Sequence, residues 1–279
     1  MKIVSSGKGI HSPEFHKKKK RKQTIRIVGI SLLVIIIVAV PIYLLRTQRF
    51  LISSVVVSGN NVTPIEDIQK IVTNKINGNY LLIFPKSNDL LYPKSSIIKT
   101  LLQDIPRLSS VNVSLINPHT LSISVVEHEP FALYCTNVSD PSDPSGCFFL
   151  NKDGYIFSEA PAFSGGVYFV YTNDPVFDVP LRQSFLNKSI FDELPTFITS
   201  LHDLGLVPLI FVDKGDEYDL VLASGATVMW KASSDLGTIY SDLQSFLSDP
   251  SFTKEKAELG KLLYIDLRFG NKVFYKFNN

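Results

Sequence analysis

The clearest stretch in the chain is one without alternation. Ile27–Leu45, IVGISLLVIIIVAVPIYLL, holds nineteen residues and no charge, and Arg26 and Arg46 bound it. At about 1.5 Å per residue it reaches roughly 28 Å, close to the ~30 Å hydrocarbon thickness of a bilayer. A buried core helix normally keeps polar residues on one face. A signal h-region of about 7–15 residues ends at a small-residue cleavage site, which does not follow this segment. An uncleaved transmembrane anchor over residues 27–45 is therefore the expectation. Pro41 falls near its end, where a kink does not prevent a span.

Beyond the span the pattern changes to short strands and amphipathic helices. Ile52–Ser58 is rich in β-branched residues and stops at Gly59-Asn60-Asn61, a turn signal. Thr63-Pro64-Ile65-Glu66 reads as a helix start, with Thr as cap, Pro at the first position and Glu completing a capping box. Ile65, Ile68, Ile71 and Val72 follow at helical spacing. A short apolar run, Tyr80–Phe84, precedes Pro85. A second helix is predicted from about Pro93 to Gln103, with Ile97, Ile98, Leu101 and Leu102 as its stripe and Pro106 as its stop. Leu108–Ile116 and Thr120–Glu127 alternate as strands around the turn Asn117-Pro118-His119. The unit reads β-α-α-β-β.

The C-terminal part predicts mostly strands. Phe131–Cys135 and Cys147–Leu150 flank a Pro- and Asp-rich loop, and Asp153-Gly154 marks another turn. Val167–Tyr171, Val207–Asp213, Tyr218–Ala223 and Ala226–Lys231 follow as strands. Helical spacing spans Ser189–Leu204, but Pro195 moves the expected start to that proline, and Gly205 ends the helix. Ser234 is the expected cap of a helix carrying Leu236, Ile239, Tyr240, Leu243, Phe246 and Leu247. Leu262–Phe269 and Lys272–Phe277 close the chain as a hairpin through Gly270-Asn271. In the first strand Leu263, Ile265, Leu267 and Phe269 share a face. In the second, Val273, Tyr275 and Phe277 lie opposite Lys272, Phe274 and Lys276.

Charge sharpens this division. The formal sum over 279 residues is +2, but residues 1–26 carry nine Lys or Arg against Glu14 alone, and residues 46–279 carry nineteen basic and twenty-five acidic residues. The chain is thus +8 before the span and −6 after it. The run His16-Lys17-Lys18-Lys19-Lys20-Arg21-Lys22 places the head in the cytoplasm and the bulk outside, by the positive-inside rule. Next to a span, such a run favours anionic inner-membrane lipid over nucleic acid. Residues 1–16, without periodicity, are expected to be a disordered tail.

Chemistry is sparse. The chain has five histidines, His11, His16, His119, His128 and His202, and they form no zinc spacing. No H-E-x-x-H, G-x-S-x-G or Gly-rich phosphate loop occurs. Glu127-His128-Glu129 reads as a strand end with solvated charges rather than a metal site. Asp266 and Arg268, two apart in a strand, share a face and are expected to pair structurally. No catalytic residue, metal site, cofactor or small-molecule substrate is expected. Cys135 and Cys147 flank their loop at positions where paired strands set them opposite each other. An oxidising compartment favours a disulfide; two free thiols are the alternative. A sortase-type catalytic cysteine does not fit Ala132-Leu133-Tyr134-Cys135. Asn61, Asn112, Asn137 and Asn187 match N-x-S/T, which matters only for a eukaryotic source.

Several of these residues carry a resemblance. Val57-x-Gly59-Asn60, Pro106-x-Leu108, Val111-x-Val113, Asn117-Pro118-x-Thr120-Leu121-x-Ile123 and Glu127-x-Glu129-Pro130-x-Ala132 resemble the POTRA domain of the FtsQ/DivIB family of single-span bacterial division proteins. Tyr264–Tyr275 is similar to the ending of that family's β-domain. The resemblance implies an α+β architecture: a cytoplasmic basic tail at 1–26, the anchor at 27–45, a POTRA domain at 50–129 and a β-domain at 130–279. It implies a non-enzymatic type II scaffold at the septum, recruiting partners of the FtsB/DivIC and FtsL types. The partner-binding match falls on Phe269, Lys272, Val273, Phe274 and Tyr275, by pairing of an edge strand. Alternatively, Lys272 and Lys276 only guard an edge against aggregation. Two other functional readings are a membrane-anchored cell-wall enzyme with an unrecognised site and a POTRA protein serving export.

Overall fold

The computed structural model describes residues 13–137, 146–161, 167–250, 261–270 and 272–278. The chain divides into two compact units, Met1–Leu101 with Val111–Val125, and Leu102–Ser110 with Val126–Asn279.

In the first unit, helix α1 runs unbroken over Pro13–Leu45. Among the described residues, Lys19–Leu45 is the one helix long and apolar enough to cross a membrane. The end of the tail expected to be disordered is therefore helical from Pro13, while residues 1–12 lie outside the described residues. Lys, Arg and Gln are good helix formers, and a helix already nucleated by the span extends through them at little cost.

A three-stranded sheet follows in the order β1-β5-β4, from Ser54–Ser58 (β1), Leu108–Asn117 (β4) and Thr120–Glu127 (β5). β1 lies parallel to β5, with Val55 opposite Leu121 and Val57 opposite Ile123. Helices α2 (Ile65–Ile76) and α3 (Lys94–Asp104) bury Ile68, Val72 and Ile76, and Ile97 and Leu101. Gln69 Nε2 donates to the Val55 carbonyl at 3.0 Å, tying α2 to β1. The expected capping box is absent. Pro64 itself takes the extended cap position (φ −60, ψ 136), no side chain caps α2, and Thr63 is buried. The apolar run before Pro85 lies in a small hairpin, with Asn79–Tyr80 (β2) antiparallel to Phe84–Pro85 (β3).

The second unit is built on a nine-stranded sheet in the order β14-β13-β12-β11-β10-β9-β6-β7-β8. Its strands are Ala132–Cys135 (β6), Cys147–Leu150 (β7), Ile156–Glu159 (β8), Val170–Asn173 (β9), Pro208–Asp213 (β10), Glu217–Leu222 (β11), Thr227–Lys231 (β12), Leu262–Asp266 (β13) and Phe274–Phe277 (β14). Strands β6, β10 and β13 pair in parallel with β9, β9 and β12, and the remaining neighbours are antiparallel. Helices α4 (Lys188–Ser200) and α5 (Leu236–Ser248) contribute Phe191, Leu194, Phe197, Ile198, Ile239, Leu243 and Leu247 to the main core, beside Trp230, Tyr134, Tyr171 and Phe211. Strand β6 is buried along its whole length because both its faces are covered. Ala132 and Tyr134 join the main core, and Leu133 and Cys135 join a smaller cluster with Cys147, Phe149 and Phe157.

Helix α4 starts at Lys188 and carries Pro195 inside it. The burial of Phe191 and Leu194 on its first turns outweighs the hydrogen bond that a proline nitrogen cannot donate. Asp235, not Ser234, caps α5, its carboxylate accepting from the Thr238 amide at 2.8 Å. The connection from β13 to β14 is not a two-residue turn. Asp266 pairs with Phe274, so residues 267–273 form the link, and Asn271 lies outside the described residues. Strand β13 also bulges between Leu262 and Tyr264, so that Leu262 is buried with Ile265 while Leu263 is exposed and leaves the face it was expected to share; Phe269, beyond the strand in the link, is exposed as well.

Candidate functional site

The residues singled out in the sequence gather at one end of the large sheet. β14 is the terminal strand of the sheet order and β13 is its neighbour. Tyr275 stands opposite Ile265, and Lys276 opposite Tyr264. Of the five candidate partner-binding residues, Phe274 and Tyr275 lie in β14, Lys272 and Val273 just precede it, and Phe269 lies in the link.

The structure separates these five by direction. Phe269 (58% exposed) and Phe274 (47%) meet edge to face, their ring centres 5.3 Å apart. Tyr275, itself 40% exposed, packs on Phe246 of α5 at 5.0 Å and on Phe277 at 5.8 Å, and Val273 leans on the main core. Phe269 and Phe274 thus form the outward apolar pair, while Val273 and Tyr275 attach the strand to its own domain. Lys272 and Lys276 are exposed beside them.

An ion network fixes the link. Asp266, at the end of β13, accepts from the Arg268 backbone amide at 3.0 Å and from its Nε at 2.9 Å on one oxygen. Its other oxygen accepts from Nη2 at 2.6 Å. Arg268 Nη1 donates to Glu217 Oε2 of β11 at 2.6 Å. The Arg268 hydrogen bonds hold the buried Asp266 carboxyl below the ordinary carboxylate range, against a smaller opposing effect of burial. The same carboxylates raise Arg268 further above its already high value. The Arg268 guanidinium also lies 5.8 Å from the centre of the Phe269 ring. The Asp266–Arg268 spacing was legible in the sequence as a pair. Glu217, fifty-one positions from Arg268, was not, because only the sheet order brings β11 within reach. Phe246 was read as part of a helix stripe, with nothing local to show that it supports Tyr275.

Cys135 and Cys147 are register partners on β6 and β7 and form a disulfide, with Cα atoms 4.1 Å apart. The centre of the intervening loop, 138–145, lies outside the described residues. His128 is not the solvated end of an acidic strand. It packs against Tyr155 and Phe157, ring centres 5.2 and 5.3 Å away, and Asn151 Nδ2 lies 2.9 Å from its Nδ1. Burial lowers its pKa, partly opposed by Asp153, which favours a neutral ring accepting from the asparagine.

Comparison with known families matches residues 50–128 to the POTRA domain, FtsQ-type. No curated protein matches the chain. The chain therefore carries an FtsQ-type POTRA domain directly behind an N-terminal apolar helix, followed by a C-terminal sheet domain, and this supports its place in the FtsQ/DivIB family.

Proposed function

We propose that this chain is a non-enzymatic, single-span scaffold of the bacterial division machinery. Its basic head is cytoplasmic and its two folded units are extracytoplasmic. The observation that carries the reading is the FtsQ-type POTRA domain at residues 50–128, five residues beyond the end of α1. The charge asymmetry across the span supports the orientation. The basic head attracts anionic inner-membrane lipid.

Partners of the FtsB/DivIC and FtsL types are recruited through the end of the large sheet. An incoming strand adds to β14, while Phe269 and Phe274 supply an apolar anchor pair and Lys272 and Lys276 select an acidic partner. The Arg268 network contributes pre-organisation, since a fixed link presents Phe269 without further ordering on binding. Tyr275 and Val273 act mainly as the strand's attachment.

A fluorescent reporter fused to the full chain tests the cellular role. Accumulation at midcell during constriction is the expected result. Uniform envelope fluorescence throughout the cell cycle contradicts it and favours an export protein or a membrane-anchored cell-wall enzyme.

A further inference from the structure

The tip of the β2–β3 hairpin exposes its most apolar residues. Leu81 is 85% exposed and Leu82 88%, and Tyr80 and Ile83 beside them are also exposed. Both leucines hold left-handed backbone angles, φ 47 and 63, a region that disfavours side chains with a Cβ. A soluble surface has no use for two adjacent leucines held in this way.

Their position shows what meets them. Arg46, the first residue after α1, donates from Nε to the Ile83 carbonyl at 3.0 Å and from Nη2 to the Leu82 carbonyl at 3.4 Å. Asn88 Nδ2 donates to the carbonyl of Leu45, the last residue of the span, at 3.0 Å. The chain leaving the helix is joined to the same segment by backbone bonds, Ile52 N to Ser87 O at 2.8 Å and Asp89 N to Phe50 O at 2.9 Å. The exposed leucines are thereby fastened to the point where α1 leaves the hydrocarbon. Lys86 Nζ lies 5.5 Å from the Tyr80 ring centre, an amphipathic pair of the kind that sits at the headgroup level.

We infer that the β2–β3 tip is a second membrane contact, inserting Leu81 and Leu82 into the headgroup–acyl boundary of the leaflet where α1 emerges. The occupant of this apolar surface is lipid. The tip makes the first folded unit sit on the bilayer instead of swinging from a flexible tether, with Arg46 as the clasp between span and tip. The inference rests on α1 spanning a membrane and not on the division role.

The full chain, reconstituted in phosphatidylethanolamine–phosphatidylglycerol vesicles carrying nitroxide-labelled phosphatidylcholine, tests it. Cys135 and Cys147 are joined, so an introduced cysteine takes the fluorophore. Labels at Leu82→Cys and, separately, Leu81→Cys are expected to be quenched by nitroxides placed high on the acyl chain. A label at Val62→Cys, beyond the far end of β1 and 61% exposed, is expected to keep its emission. A label at Ile35→Cys reports insertion of the span independently. Quenching at Ile35, with emission at positions 81 and 82 as unquenched as at 62, overturns the inference while leaving the span and the division role untouched.

Discussion

Arg268 forks onto Asp266, its Nε and Nη2 lying 2.9 and 2.6 Å from the two carboxylate oxygens, while its Nη1 reaches Glu217 on β11. This one side chain joins the end of β13, the link that carries Phe269 and a strand two places away in the sheet. The position of the exposed aromatic pair follows from it.

Asp266→Asn tests that dependence. Asp266 is buried and Arg268 about three-quarters so, which sets the loss at about 1–3 kcal/mol near neutral pH, the range of a charged hydrogen-bonded pair discounted for partial exposure. The folded-state pKa of Asp266 lies below its ordinary 3.8. The stabilisation is therefore fully present above 3.8 and is lost as pH falls through the lower folded value. Urea unfolding followed by Trp230, the one tryptophan and fully buried, is expected to show the variant and parent converging in acid. A constant difference from neutral to acid pH contradicts the assignment.

The disulfide closes a separation of twelve residues at the neck of the β6–β7 hairpin. Reduction, or Cys135→Ser with Cys147→Ser, is expected to lower stability by about 2–4 kcal/mol, chiefly through the unfolded chain. Non-reducing peptide mass spectrometry of the folded protein is expected to find the two cysteine peptides joined. Two freely alkylated thiols rule the bond out.

Gly59 ends β1 at φ +84, where an added Cβ would stand 2.1 Å from the carbonyl oxygen of Val125 on β5. Gly59→Ala is expected to lose at least the ~1–2 kcal/mol that a left-handed residue with a Cβ costs, plus the displacement of β5. Amide hydrogen exchange in β1 and β5 should quicken while the protection of β10 to β12 stays as it was. Unchanged exchange in β1 and β5 contradicts the close approach.

Much of the architecture was legible because it rests on local periodicity. Ile68 and Val72, Ile97 and Leu101, and Leu121, Ile123 and Val125 repeat at the spacing of their elements, and all are buried. What escaped depends on residues distant in the chain or on backbone exceptions. Pro195 reads as a helix start because a proline removes a donor, yet the packing of Phe191 extends α4 through it. The bulge between Leu262 and Tyr264 takes Leu263 off the face it was expected to share with Ile265, which no alternation count detects. Glu217 meets Arg268 only through sheet order, and the left-handed angles of Leu81 and Leu82 have no glycine to mark them. In the candidate site, the sequence located the final strand and its residues. Alternation already set Val273 and Tyr275 opposite Phe274, but it did not show that Phe269 meets Phe274 or that Phe246 supports Tyr275.

Recruitment of a partner by the end of the large sheet is tested most directly by pull-down of an FtsB/DivIC-type protein with the full chain carrying Lys272→Glu with Phe274→Asp, alongside urea unfolding read at Trp230. The double change is expected to abolish capture while the unfolding midpoint stays close to that of the parent, because both side chains are exposed. Undiminished capture by the folded variant would contradict it.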